Sequence, residues 1–168
     1  MKCPLLFAAL CCLSLVACSE KQPEKAATPV PGVVKATTVR PAAMPATLSL
    51  SEACALDAVN GQLAKDASTS DKAKIKLDGW AANFPAGTSS QQIYVELEGP
   101  SKLYFRATHG LMRPDVAAVF NKPGLGDAGW TASVDLSEAA AGAYKVRIIT
   151  VEGQSGLVCD SKKSIAIK

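Results

Sequence analysis

Gly142-Ala-Tyr-Lys-Val-Arg-Ile-Ile-Thr-Val-Glu-Gly153 is the stretch on which the fold turns. Tyr144, Val146 and Ile148 alternate with Lys145 and Arg147, the period of two that a half-buried strand requires, and Glu152-Gly153 supplies a turn where the run stops. Segments of the same kind recur at 51–60, 73–80, 91–98, 103–108 and 130–136, with a C-terminal pair at 156–159 and 164–168. Gly99-Pro100 and a Gly/Ser run around 86–90 provide turns between them. Residues 116–120 allow one helical turn, bounded by Pro114 and Pro123. The chain from 47 to 168 is long enough for one domain with a sizeable core. The expected architecture is all-β, a single sandwich of about seven to eight strands.

Leu136-Ser137 followed by Gly142-Ala143-Tyr144-Lys145-Val146 resembles the tyrosine corner of immunoglobulin-like sandwiches. In that corner a Tyr at the start of a late strand bonds backbone in the preceding loop. The resemblance implies an immunoglobulin-like version of the sandwich. Position 146 holds Val, where antibody-type domains carry their second Cys, so the likeness is architectural and implies no shared function.

At the other end of the chain, Lys2 precedes an apolar run over 4–17 that is too short to span a bilayer as a permanent helix. The run ends in Leu15-Val16-Ala17-Cys18, which resembles the lipobox of bacterial lipoproteins. That resemblance implies a signal peptide over 1–17, cleavage by the lipoprotein signal peptidase, and lipidation (palmitate among the acyl chains) at Cys18. Two or three acyl chains anchor firmly, since each buried methylene contributes about 0.8 kcal/mol. Ser19 stands where an acidic residue would favour retention in the inner membrane. The implied address is the periplasmic face of the outer membrane of a Gram-negative bacterium.

That address simplifies the six cysteines. Cys3, Cys11 and Cys12 leave with the signal peptide and Cys18 takes the lipid, so Cys54 and Cys159 remain in an oxidising compartment. A disulfide between them is expected, and Trp80 could pack on it. A redox pair or a metal site would need a CxxC spacing or clustered His, and the chain has one His. No metal or other cofactor is expected.

Pro23, Pro29, Pro31, Pro41 and Pro45 interrupt residues 18–46, where Ala, Thr, Lys and Glu fill the gaps. This composition reads as a disordered tether, extended at about 3 Å per residue. Lys21, Lys25, Lys35 and Arg40 against Glu20 and Glu24 place the basic excess in the tether, and the charges of the folded part cancel. A nucleic-acid partner is excluded by that balance and by the address. The run Lys72-Ala-Lys-Ile-Lys76 reads as a solvated strand face.

Gly79-Trp80-Ala81, Arg113-Pro114-Asp115-Val116-Ala117 and Gly129-Trp130 form the most distinctive internal pattern. It is similar to an uncharacterised β-sandwich module of bacterial envelope proteins, some linked to glycan synthesis. Two readings of these residues stand side by side. Arg113 and Asp115 flanking a Pro suit a charge-assisted clamp, Trp80 and Trp130 suit packing, His109 suits an exposed loop, and Arg106, alternating with Tyr104, suits a solvent-facing position. Alternatively Arg113, Trp130, His109, Arg106 and Trp80 form a polar-aromatic candidate ligand site for a sugar or a peptide.

Catalytic signatures are absent from the sequence: no nucleophile elbow, no HExxH, no phosphate-cradling glycine loop. Glu96 and Glu98 fall on one strand face and read as solvent-exposed. The expected function is therefore non-enzymatic, a lipid-anchored periplasmic interaction module for an envelope protein reached through a strand edge or the Arg113 loop. Carbohydrate recognition, of peptidoglycan or surface polysaccharide, is the alternative.

Overall fold

A computed structural model describes residues 32–65 and 67–168. The expected signal peptide, Cys18 and the first part of the expected tether lie outside the described residues. Twelve strands are present among those described: β1 (Val33–Lys35), β2 (Ser49–Ser51), β3 (Cys54–Val59), β4 (Gln62–Leu63), β5 (Ala67–Thr69), β6 (Ile75–Asn83), β7 (Thr88–Ser89), β8 (Gln92–Glu98), β9 (Lys102–Leu111), β10 (Gly129–Asp135), β11 (Gly142–Glu152) and β12 (Ser155–Ile167). One helix, α1 (Pro114–Phe120), and a 3-10 turn (Pro123–Leu125) join β9 to β10. The fold is all-β, with more strands than expected because short flanking strands add to the main ones.

The strands follow one hydrogen-bonded path, β2-β12-β11-β8-β9-β10-β6-β3-β4. Two layers arise because β9 changes partner along its length. Lys102 to Ala107 pair with β8, and Thr108, His109 and Leu111 pair with β10. One layer is then β9-β10-β6-β3-β4 and the other β2-β12-β11-β8-β9. Between them lie Ile75 and Leu77 of β6, Val95 and Leu97 of β8, Trp130 and Val134 of β10, and Tyr144, Val146 and Ile148 of β11.

Three expected segments were drawn differently by the folded chain. Segment 51–60 is two elements, because the chain crosses from β2 in one layer to β3 in the other at residues 52 and 53. The C-terminal pair is one long strand, β12, with a register shift opposite residues 145–147 and Lys162 at φ 58°. Residues 33–48 are not free tether: β1 runs parallel beside Ser133–Asp135, and Met44 is buried.

That docked segment explains the burial pattern of β11. Tyr144 to Arg147 alternate buried and more exposed, whereas Ile148 to Val151 are buried continuously. Ile149 and Val151 face outward, and on that outer face Met44 joins them in a second core with Tyr94, Tyr104 and Val158. Glu96, expected in solvent, is buried on the covered layer, where Arg147 Nη1 donates to its Oε1 at 3.1 Å. A buried carboxylate needs such a partner.

Cys54 on β3 and Cys159 on β12 form a disulfide across the two layers, with Cα atoms 6.1 Å apart. Trp80 does not pack on it. Ala81 is the register partner of Cys54 and faces the core, so its neighbour Trp80 faces the opposite side of β6.

The Tyr144 hydroxyl, at the start of β11, donates to the Ala140 carbonyl in the loop before it at 3.0 Å. Its ring lies over Gly99, where any Cβ would come 2.7 Å from Tyr144 Cδ1 and 2.6 Å from the Ala143 carbonyl. Replacing Tyr144 by Phe leaves the packing and removes the bond. A loss of about 1 kcal/mol is expected in urea unfolding, the net worth of one such hydrogen bond.

Candidate functional site

The two Gly-Trp dipeptides face each other across β6 and β10. Trp130 pairs with Gly79 and Trp80 pairs with Gly129. Opposed residues of an antiparallel pair share a face and adjacent residues alternate, so the two rings go to opposite sides of the layer. Trp130 enters the core at 1% exposure, its ring lying on Gly79, where a Cβ would overlap the Ala55 carbonyl and come 2.7 Å from Trp130 Cζ2. Its Nε1 has no hydrogen-bond partner among the described residues. Trp80 goes to the outer side, half-buried in a third cluster with Phe84, Val116, Ala117 and Leu125.

Arg113 caps this outer cluster as a clamp. It stands at the N-cap of α1, Pro114 takes the first helical position, and Asp115 lies in the first turn, where a negative charge suits the helix dipole. The guanidinium forks onto Asp115, Nε to Oδ1 at 2.9 Å and Nη2 to Oδ2 at 2.7 Å, while Nη1 donates to Asp57 Oδ2 on β3 at 2.6 Å. The hydrogen bond to Asp115 raises the Arg113 pKa above its ordinary value. The reciprocal bond from Arg113 lowers Asp115 to about 2. Gly129 completes the arrangement, since a Cβ there would meet Arg113 Cγ at 2.9 Å and the Leu111 carbonyl at 2.7 Å.

The five residues grouped as a candidate ligand site therefore separate. Trp130 is core and offers no stacking face. The Arg113 donors Nε, Nη1 and Nη2 are engaged by carboxylates. His109 lies on β9 opposite Trp130 and is half-buried, not on an exposed loop, because β9 runs three residues further than expected. Arg106 is exposed on β9 in the register of Tyr94. Trp80 is the one aromatic of the group on the outer side.

A different surface is assembled where the Trp80 cluster reaches solvent. A groove of about 450 Å³ lies between β2 and the C-terminal end of α1, lined by Leu50, Ala53, Phe84, Pro85, Phe120 and Leu157 with Ser51 and Glu52. Phe120 packs against Trp80 at a tilt of 54°, 5.4 Å between ring centroids, and meets Phe84 edge-on at 5.0 Å. Lys122 Nζ sits 4.8 Å from the Phe84 centroid. Leu50 is 87% exposed on β2, the end strand of its layer among the described residues. The sequence signal for this groove is faint: Phe84-Pro85 after a strand, and two of only four Phe in the chain.

Among the described residues no cluster of three or more His, Cys, Asp or Glu is placed to hold a metal ion, and no helix is long and apolar enough to cross a membrane. Comparison with protein-family models, curated proteins and solved structures returns no match for this chain.

Two outcomes follow from the geometry. Gly79→Ala forces Trp130 or β3 to move and is expected to destabilise by about 1–3 kcal/mol or more, read by chemical denaturation. In a carboxyl NMR titration Asp115 is expected to titrate at about 2, and in Arg113→Ala to move up toward its ordinary value, since the Arg113 hydrogen bond is the largest cause of the depression. Because the folded value is depressed, the stabilisation that Asp115 contributes is complete above the unfolded value and disappears as pH falls toward 2.

Proposed function

We propose that this protein is a lipid-anchored, non-catalytic interaction module of the bacterial envelope, held by Cys18 at the periplasmic face of the outer membrane, and that the groove between β2 and α1 receives an extended apolar segment of an envelope protein. The supporting observation is the groove itself. It combines an exposed aliphatic side chain at a sheet end with an aromatic wall, the pairing of strand edge and side-chain pocket used in strand-addition recognition. Exposed apolar surface of this kind, on a domain whose charges nearly balance (15 Lys and Arg against 13 Asp and Glu over 32–168), favours a protein contact over a polyanion. The lipobox-like Leu15-Val16-Ala17-Cys18 supports the address. Saccharide recognition loses its proposed stacking ring with Trp130 in the core.

In-cell photocrosslinking tests this reading. Benzoylphenylalanine in place of Phe120 is expected to give one discrete protein adduct, which Leu50→Lys abolishes without changing the melting temperature. The same crosslinker in place of Val39, exposed elsewhere, should give none. An adduct that survives Leu50→Lys, or glycan recovered in place of protein, overturns the reading. Palmitate labelling that persists in Cys18→Ala overturns the anchor.

A further inference from the structure

Residues 33–53 are held to the domain by contacts that become strong only at their last residue. β1 pairs over three residues with β10, and Ala36 N–H donates to the Asp135 carbonyl at 3.1 Å. Thr37 exchanges two backbone hydrogen bonds with Tyr104, at 3.0 and 2.7 Å, which carries the segment over to the second layer. Residues 41–48 then cross the outer face of that layer, and β2 pairs over three residues with β12. From Gly32 to Ser51 the one fully buried side chain is Met44. Gly156 on β12 is shaped for this segment, since a Cβ there would lie 2.5 Å from Leu48 Cδ2 and 3.3 Å from Pro45 Cδ.

Two three-residue parallel pairings, three further backbone hydrogen bonds, the solvent-exposed Lys35–Glu138 ion pair, the partly buried Val34 and Ala36 and one fully buried side chain hold the segment more weakly than the long antiparallel ladders hold the core, so it can open locally without them. The hold changes at Ala53 and Cys54. Ala53 is buried and its carbonyl accepts from Ala82 N–H at 3.1 Å. Cys54 is bonded to Cys159, and Cys159 is the register partner of Ser51, the last residue of β2. A pull applied from the N-terminal side thus meets weak contacts in turn until it reaches a covalent bond into β12.

We propose that residues 33–53 are a releasable extension of the membrane tether, with the Cys54–Cys159 disulfide as its stop. This rests on the reading that membrane attachment lies on the N-terminal side. Peeling 33–53 adds up to about 70 Å of contour, less the distance the docked segment already covers. The core could then stand further from the membrane while it stays folded, and because Leu50, Ser51, Glu52 and Ala53 line the groove, release opens its β2 side. Release also uncovers Tyr94, Tyr104, Ile149, Val151 and Val158.

Optical-trap extension of the mature chain carrying Cys18→Ser tests the proposal, with handles at Glu20 and at Gln154 in the turn after β11. The intact protein is expected to show one reversible low-force step of no more than about 70 Å and no further large step. The Cys54→Ser/Cys159→Ser variant should show the same first step and then a second of up to about 350 Å, as the loop the disulfide closes is released. Gly156→Val, tolerated by a strand but not by the docked Leu48, should lower the force of the first step and, combined with Cys54→Ser/Cys159→Ser, leave the second unchanged. Loss of the segment only together with the core, or a first step indifferent to Gly156→Val, overturns the proposal. If the step is present but palmitate is not incorporated at Cys18, the extension stands and the membrane reading falls.

Discussion

The exchange of glycine for tryptophan across β6 and β10 is the constraint from which most of this structure follows. Aromatic residues are scarce in the chain, 5% of the total, so each large ring must serve as a packing centre. Trp130 fills the space between the layers only because Gly79 leaves its face of β6 flat. Trp80 sits on the other side above Gly129, and it gives α1 something to pack against. Arg113 then fixes the start of α1 to β3 through Asp57, and the end of the helix delivers Phe120 to the groove. One register, Trp130 on Gly79, thus sets both the core and the position of the exposed aromatic wall.

How much of this was legible in the sequence depends on whether the information is local. The strand periodicity of β11 and the hydrogen bond from Tyr144 to the loop before it are local, encoded within about a dozen residues, so both could be read. The disulfide could be read by elimination, since the lipobox resemblance gives every other cysteine another expected fate. The Gly-Trp exchange could not, because the role of each ring depends on the register of two strands fifty residues apart. Arg113 lies against Gly129, the residue before Trp130, but the Trp130 ring turns inward while the guanidinium remains outside.

The docked segment 33–48 was illegible for a different reason. Proline, alanine and threonine describe an extended chain whether it lies in water or on a protein surface, because polyproline-like conformation suits both. Only Met44 among those residues pays for docking with a fully buried side chain, and the surface that receives it is built from Tyr94, Tyr104, Ile149, Val151 and Val158, all at least fifty residues away. The same gap misassigned Glu96. Period two placed it on an outer face, correctly, but an outer face is wet only when nothing crosses it.

These relations give the disulfide a position that stabilisation alone does not require. A crosslink spanning 105 residues constrains the unfolded chain to nearly the same degree if it is moved by a few residues at either end, because the entropy depends only logarithmically on loop length. Its placement at Cys54, directly after the surface segment and in the register of the last residue of β2, is therefore free for another purpose. There it separates what the chain can release from what it must keep. On the N-terminal side lie short pairings, one buried methionine and the β2 side of the groove; on the C-terminal side lie the Trp130 core, the Arg113 clamp and the aromatic wall of Phe84 and Phe120, which retain their geometry as long as β3 and β12 remain joined.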